Sequence, residues 1–375
     1  MSEEIGQTRL LSLDVFRGMT VAGMVLVNNP GTWGAIYSPL GHAEWHGITP
    51  TDFIFPFFLF IVGVAIPLAL GKRVEEGVTR DVYLKIVRRS LIIFGLGLFL
   101  AAFPFFDLAN LRIPGVLQRI AVCYLIASLI FLHTNWKQQT IIGIVLLLIY
   151  WFLMVAVPVP GCEITSIDDK ACNLAAYFDR AVFGLEHIWK SAKVYDPEGI
   201  LSTIPAVVTT LSGILTGTWL KTRRSDFEKV GGLFFFGVVL CACGWCWNFF
   251  FPFNKALWTS SYVVYTTGLA LCFLGFCYWL VDIKGYKKWS KPFVIFGVNA
   301  LALFFFSGLL ARLLGVIKVA GTEGKSISLQ KWIFDNLFGP YAAPVNASLA
   351  YAVCFILLWL FLMWLLYRKR IFIKV

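Results

Sequence analysis

Charge is what this sequence has little of: Asp, Glu, Lys and Arg make up 14% of its 375 residues, against 59% hydrophobic residues and a mean hydropathy of +0.77. Ordinary soluble domains are about one quarter charged. The deficit excludes a conventional water-facing surface and makes a lipid bilayer the expected solvent. No small-residue cleavage site closes a short apolar region near the N-terminus, so no cleaved signal peptide is expected. A continuous basic face is missing as well. The net charge of +11 is scattered in short clusters between apolar segments, which excludes nucleic acid as a partner and leaves membrane topology as its cause. What is abundant is aromatic: 35 Phe and 14 Trp suit packing against lipid and anchoring at its interfaces.

Apolar segments separated by polar punctuation lie near 15–29, 52–71, 88–106, 114–132, 139–157, 200–220, 229–251, 259–281, 292–315 and 346–367. The expected fold class is therefore all-α: a polytopic membrane protein, a bundle of about ten transmembrane helices. We read residues 1–375 as one domain with outer loops 30–51, 158–199 and 316–345. With both termini cytoplasmic, 20 of the 32 Lys and Arg residues fall on the inner side, as the positive-inside rule requires. Cys162 and Cys172 lie together in the longest outer loop, where an oxidising compartment permits a bridge. The other seven cysteines lie in apolar spans. Cys241, Cys243 and Cys246 have the look of a metal cluster, but such a span offers no polar second shell, so they read as packing residues and no metal is expected.

Ionisable groups within or beside spans cost about 2.5–3.5 kcal/mol on insertion scales, so each calls for a partner or a function. Asp14 and Arg17 are three apart in SLDVFRG and share a helix face, either as an intrahelical pair or with Arg17 receiving an anionic cofactor. Asn28 and Asn29 end the first span. The loop that follows contains His42, Glu44, Trp45 and His46 and no Lys or Arg, and Asp52 opens the second span. Histidine moves protons near neutral pH, and a nearby carboxylate fixes its tautomer; the plainer reading is solvated histidines and an N-capping Asp52. In LRIPGVLQRIAVCY, Arg112 and Arg119 border the fourth span, with a structural pair to Asp107, Asp14 or Asp52 standing beside phosphate binding as explanations. In YDPEGILSTIPAV, Asp196 and Glu198 read either as caps of the sixth span or as ligands of a cationic or hydroxyl-rich substrate.

Five blocks, SLDVFRGMTVAGMVLVN at 12–28, HAEWHGITPTDFIFPFFLFIVG at 42–63, LRIPGVLQRIAVCY at 111–124, YDPEGILSTIPAV at 195–207 and PFVIFGVNAL at 292–301, resemble the heparan-alpha-glucosaminide N-acetyltransferase family, part of a wider transmembrane acyltransferase group. The resemblance implies transfer of the acetyl group of acetyl-CoA to the amine of a glucosamine-type sugar. It places the family's essential histidine, in a motif H-A-x-W-x-G, on His42 and not on His46, and the functional asparagine on Asn28. The chain lacks the large N-terminal lumenal domain of the animal enzyme, which with the missing targeting signal points to a bacterial inner membrane.

On this reading His42 is a general base or transient acetyl carrier, Asp52 orients its ring and Asn28 donates to the oxyanion. Trp45, Asp196, Glu198 and Arg112 are candidates for the acceptor, and Arg17, Arg119 and Asn299 for the acetyl-CoA path. Asn299 is included because an amide deep in a span otherwise lacks a partner. Membrane lipids, acetyl-CoA and an amino sugar are the expected partners. A homodimer is compatible with the sequence, although no small-residue stripe locates its interface. Two other classes fit the pattern in part: an O-acyltransferase of envelope glycans, and a secondary transporter or flippase, against which the lack of an internal repeat counts.

Overall fold

The computed structural model describes residues 10–321 and 326–373. Thirteen α-helices follow in chain order: α1 (Leu11–Asn28), α2 (Ile54–Glu75), α3 (Arg80–Ala102), α4 (Val116–His133), α5 (Trp136–Ala156), α6 (Leu174–Phe183), α7 (Thr203–Leu220), α8 (Asp226–Trp247), α9 (Ser260–Cys277), α10 (Lys291–Val298), α11 (Ala300–Val316), α12 (Leu329–Leu337) and α13 (Pro344–Arg368). A small antiparallel ribbon, β1 (Lys318–Ala320) on β2 (Ser326–Ser328), pairs Val319 with Ile327. The chain is an all-α, multi-pass membrane protein.

Nine of the ten apolar segments fall on one helix each, and 292–315 is divided between α10 and α11. Eight helices among the described residues are long and apolar enough to cross a bilayer, and α10 with α11 makes a ninth crossing if the pair, bent by 82°, counts as one. The difference from ten lies in α3, whose first half carries Arg80, Asp81, Lys85, Arg88 and Arg89. Its uncharged part, Ser90–Ala102, is shorter than the roughly 20 residues a hydrocarbon core needs.

Helices α1, α2, α4, α7 and α9 bury more than half of their surface and form the centre, whereas α5, α8 and α13 are mostly exposed. The exposed face of α8 presents Phe227, Phe235, Phe236 and Val238, apolar groups suited to lipid. The closest central contact joins α2 to α7, which run in the same direction. A β-carbon on Gly63 would lie 2.0 Å from the Thr210 carbonyl oxygen, and one on Gly213 would lie 2.1 Å from that of Phe60. Only glycine lets these backbones meet. Gly213 and Gly217 thus form a small-xxx-small stripe that serves packing within the chain. Cys241 likewise packs against Gly268 of α9.

The loops gather at one end of the bundle. Gly47 N–H donates to Phe253 O (2.8 Å), Trp45 Nε1–H to Ile167 O (2.9 Å) and Gly31 N–H to Ser348 O (3.2 Å), so the α1–α2 connection touches the α8–α9 connection, the α5–α6 connection and the start of α13 there. Cys162 and Cys172 are joined as a disulfide within that assembly. At the opposite, basic end, Leu11, Lys287, Lys288, Lys291 and Tyr367 line an open cavity of about 510 Å³. Arg9, Lys325 and Lys374, counted among the cations of the topology argument, lie outside the described residues.

Candidate functional site

The segment between α1 and α2 is folded by its own polar side chains. Pro50–Phe53 forms a 3-10 turn into α2, with Thr49 before it and Asp52 at its third position. Asp52 is fully buried. Its Oδ2 accepts from Thr49 N–H (2.9 Å), Thr49 Oγ1–H (3.0 Å) and Ala43 N–H (3.2 Å), which closes the loop back on itself. Its Oδ1 is left for His42 Nδ1 at 2.7 Å. Asp52 therefore combines the two roles the sequence left open: it shapes the start of α2 and it holds a histidine. The cap is Thr49, and the hydroxyl of Thr51 donates to Pro39 O.

With Oδ1 as acceptor, Nδ1 carries the proton and Nε2 presents a lone pair. The His42 side chain is 46% exposed, so that lone pair stands at the rim of the loop assembly. His46 differs. Its Nε2 meets Asp168 Oδ1 at 2.9 Å and its Nδ1 meets Asn254 Nδ2 at 3.3 Å, so both ring nitrogens tie loops together. Gly47, with φ of +103°, makes the turn that separates the two histidines from α2, a conformation costly for residues with a β-carbon.

Lys255, from the connection between α8 and α9, brings Nζ to 3.0 Å from His42 Nδ1, 3.1 Å from Nε2 and 3.9 Å from Asp52 Oδ1. Burial lowers its ammonium below the ordinary lysine range, against the pull of Asp52 and Glu198. Sequence reading counted Lys255 only as a loop cation. Its one local signal is isolation, a single charge in FFFPFNKALW.

The other expected residues sort into two groups. Trp45 points Nε1–H at Ile167 O and sets its ring edge-on to Tyr195 at 5.0 Å, which pins the His42 loop to the 157–202 connection. Arg112 donates Nε–H to Asp196 Oδ2 (2.8 Å) and Nη2–H to Asp196 Oδ1 (2.6 Å) and to Glu198 Oε2. Burial opposes the charge on Arg112, yet Glu198 and Asp196 hold its pKa above the ordinary value. Asp196 also accepts from Trp189 N–H and Glu198 N–H, and its side chain is fully buried. All its oxygen capacity faces protein. Helix α7 begins only at Thr203, so Asp196 and Glu198 are not its caps; they neutralise Arg112.

Arg119 is 2% exposed and has no pairing with Asp107, Asp14 or Asp52 among the described residues. Its Nη2 donates to Gly199 O (3.0 Å) and to Ser202 Oγ, its guanidinium lies 5.2 Å from the Trp258 ring, and Nε and Nη1 have no hydrogen-bond partner among the described residues. This puts Arg119 with the loop-end cluster, away from the other two residues assigned to the acetyl-CoA path. Arg17 pairs with Asp14 (3.2 Å) and reaches Gly297 O (3.5 Å) in the first half of α1. Asn299 sits at the break between α10 and α11, where its amide accepts from Ile373 N–H (2.9 Å) and donates to Ile371 O (3.1 Å). The partner that a buried amide needs is thus the C-terminal segment. Asn28, the last residue of α1, is exposed, and no contact with His42 is seen; its neighbour Asn29 is buried and donates to Val25 O.

Asp179 of α6 was missed because an acid in a connecting loop reads as solvated. It is 1% exposed and accepts from Ile200 N–H at 2.9 Å. Burial pushes its carboxyl up to about 7, with the neighbouring Asp196 charge adding to the effect and Arg119 opposing it. The folded protein then keeps a proton that an unfolded chain releases near 3.8. Stability from this group is fully present below that value and is lost as pH rises toward 7. Unfolding temperatures in detergent from pH 4 to 8 are expected to fall more steeply for wild type than for Asp179→Asn, which keeps the acceptor without the titration.

The family described as Domain of unknown function (DUF5009) matches residues 9–219. Human heparan-alpha-glucosaminide N-acetyltransferase is 28% identical over 440 aligned positions, covering 98% of this chain and 60% of its own length. The mouse heparan-alpha-glucosaminide N-acetyltransferase is 29% identical over 354 positions, covering 79% of this chain and 53% of its own length. The chain thus spans little more than half the length of these relatives, and the resemblance carried by the five sequence blocks is borne out. Because the family match takes in more than half of the chain, including His42, Asp52, Arg112, Arg119, Asp196 and Glu198, the chain belongs to the DUF5009 family.

Proposed function

We propose that the protein is a transmembrane N-acetyltransferase that moves the acetyl group of acetyl-CoA to the amine of a glucosamine-type sugar. The observation that carries this reading is the His42–Asp52 pair: a buried carboxylate fixing the tautomer of a histidine whose other nitrogen faces the open rim. That is the arrangement a general base needs. The activity named for the human and mouse relatives supplies the reaction class.

The amine of a glucosamine is largely protonated near neutral pH, so the ammonium first loses one proton to water and the neutral amine is the attacking form. His42 Nε2 takes the proton as the amine nitrogen bonds to the thioester carbonyl carbon. The carbon–sulfur bond then breaks, and the leaving thiolate takes that proton as CoA. Alternatively His42 Nε2 bonds to the thioester carbon first and the carbon–sulfur bond breaks to release the CoA thiolate; the neutral amine then attacks the acetyl carbon, the bond from that carbon to Nε2 breaks, and the amine's proton passes to the freed Nε2. In both routes the histidine needs Nδ1–H fixed by Asp52. Trp45, on the same loop, and Glu198 with Arg112 are the groups assigned to the acceptor. Asn28, at the end of α1, donates to an acceptor or donor group entering from the exposed side.

The loop end faces outside the cytoplasm and the basic end inside, with both termini cytoplasmic, in a bacterial inner membrane. The cavity lined by Lys287, Lys288 and Lys291 at the basic end suits the phosphates of acetyl-CoA, with Arg17 on the same half of α1. Radiolabelled acetyl-CoA offered with amino sugars and with hydroxyl acceptors tests the reading: label is expected on the amines. Label on hydroxyl acceptors alone would identify an O-acyltransferase, and sugar uptake into proteoliposomes without acyl donor would identify a transporter.

A further inference from the structure

Lys255 has no part in the reaction as drawn above, yet its position is closely set. The connection that carries it is fixed internally by Phe253 N–H to Asn248 Oδ1 (2.7 Å), Asn254 N–H to Thr259 Oγ1 (3.1 Å) and Leu257 N–H to Asn254 Oδ1 (2.9 Å). It is docked to the His42 loop twice, through Gly47 N–H to Phe253 O (2.8 Å) and Asn254 to His46 (3.3 Å). Those contacts flank Lys255 and leave its side chain, 22% exposed, reaching back to the imidazole.

Nζ lies at nearly equal distances from both ring nitrogens, 3.0 and 3.1 Å. These are not two hydrogen bonds of one kind. Nδ1 donates to Asp52, and the equal distances place Nζ over the imidazole, beside the Nε2 lone pair rather than on it, so that lone pair stays open. Whatever bonds to Nε2, or presents a proton to it, therefore arrives next to an ammonium group. Asp52 Oδ1 stands 3.9 Å from Nζ and holds the ammonium on this side of the ring. A desolvated cation so placed acts strongly on negative charge that develops beside it.

Resting on the acetyl-transfer reading, we infer that Lys255 is the cationic donor to the acetyl oxygen: as nitrogen bonds to the carbonyl carbon and the carbonyl electron pair moves to oxygen, Nζ–H donates to that oxyanion. The pair returns to the carbon–oxygen bond as carbon–sulfur breaks, and Lys255 neither gains nor loses a proton. The donor assigned from sequence to Asn28 is thus supplied, at the histidine itself, by a residue more than 200 positions away.

The test uses the full chain in detergent, with Lys255→Met, Lys255→Gln and Lys255→Arg checked for folding by thermal unfolding. Met and Gln are expected to lower kcat for acetyl-CoA and glucosamine about 10²–10³-fold, as loss of one oxyanion donor does, with KM changed little and partial recovery in Arg. A second readout needs no turnover: acylation of His42 by diethylpyrocarbonate, mapped by mass spectrometry, passes through a similar oxyanion and is expected to slow at least about tenfold in Met and Gln. If wild type turns over and the neutral variants stay within threefold of it, the role of Lys255 is overturned while acetyl transfer stands. If wild type transfers acetyl to no acceptor, the reaction reading fails and the reagent decides: slower acylation in Met and Gln upholds Lys255 as the donor, and equal or faster acylation overturns it.

Discussion

Asp52→Asn is expected to lower acetyl transfer by about 10²–10⁴-fold, the range a positioned general base contributes. The carboxylate has two separate tasks, and asparagine can do only one. Its single oxygen replaces Oδ2 at the three donors of Ala43 and Thr49, so the loop keeps its shape. The amide nitrogen then faces His42 Nδ1, where Oδ1 stood at 2.7 Å. That nitrogen can only donate, so Nδ1 must accept and Nε2 must carry the proton. A base has been turned into an acid of the wrong tautomer. Folding should change little, because the number of hydrogen bonds is conserved. Turnover measured beside thermal unfolding checks the prediction, and Asp52→Asn in a His42→Ala background should cost almost nothing further.

Arg112→Met is expected to cost about 3–5 kcal/mol of stability, the penalty of leaving a buried charge uncompensated. Asp196 is fully buried and makes two of its contacts, at 2.6 and 2.8 Å, with this one guanidinium. The cost falls on the folded state, because the unfolded chain solvates the carboxylate. Arg112→Met with Asp196→Asn should recover a large part of the loss, since the amide needs no counter-charge. Unfolding midpoints of the two single variants and the double variant measure the coupling. Additive losses would mean that the pair is not the unit described here.

The bundle was legible in the sequence because the hydrocarbon core imposes a length, and runs such as 52–71 and 346–367 meet it without ambiguity. The break at Asn299 was not, since 292–315 is apolar on both sides of it and the C-terminal segment that satisfies the amide is more than 70 residues away. His42 and Asp52 were legible as partners because they are ten residues apart in one ordered loop. Asp196 and Glu198 were misleading because a helix start follows them in sequence, while the cation that binds them comes from 84 and 86 positions earlier. Lys255 carries no local signal beyond its isolation in an apolar stretch. Its meaning lies in a docking of two loops that only the fold brings together.

The most direct measurement is CoA release from acetyl-CoA by purified wild type and His42→Ala, both confirmed as folded, with and without glucosamine. The account predicts that wild type releases CoA over many turnovers only when the amino sugar is present, with at most one equivalent released without it, and that His42→Ala is slower by at least about 10²-fold. Equal release by the two proteins would contradict His42 as the centre of the site, and no release with any amine would contradict acetyl transfer itself.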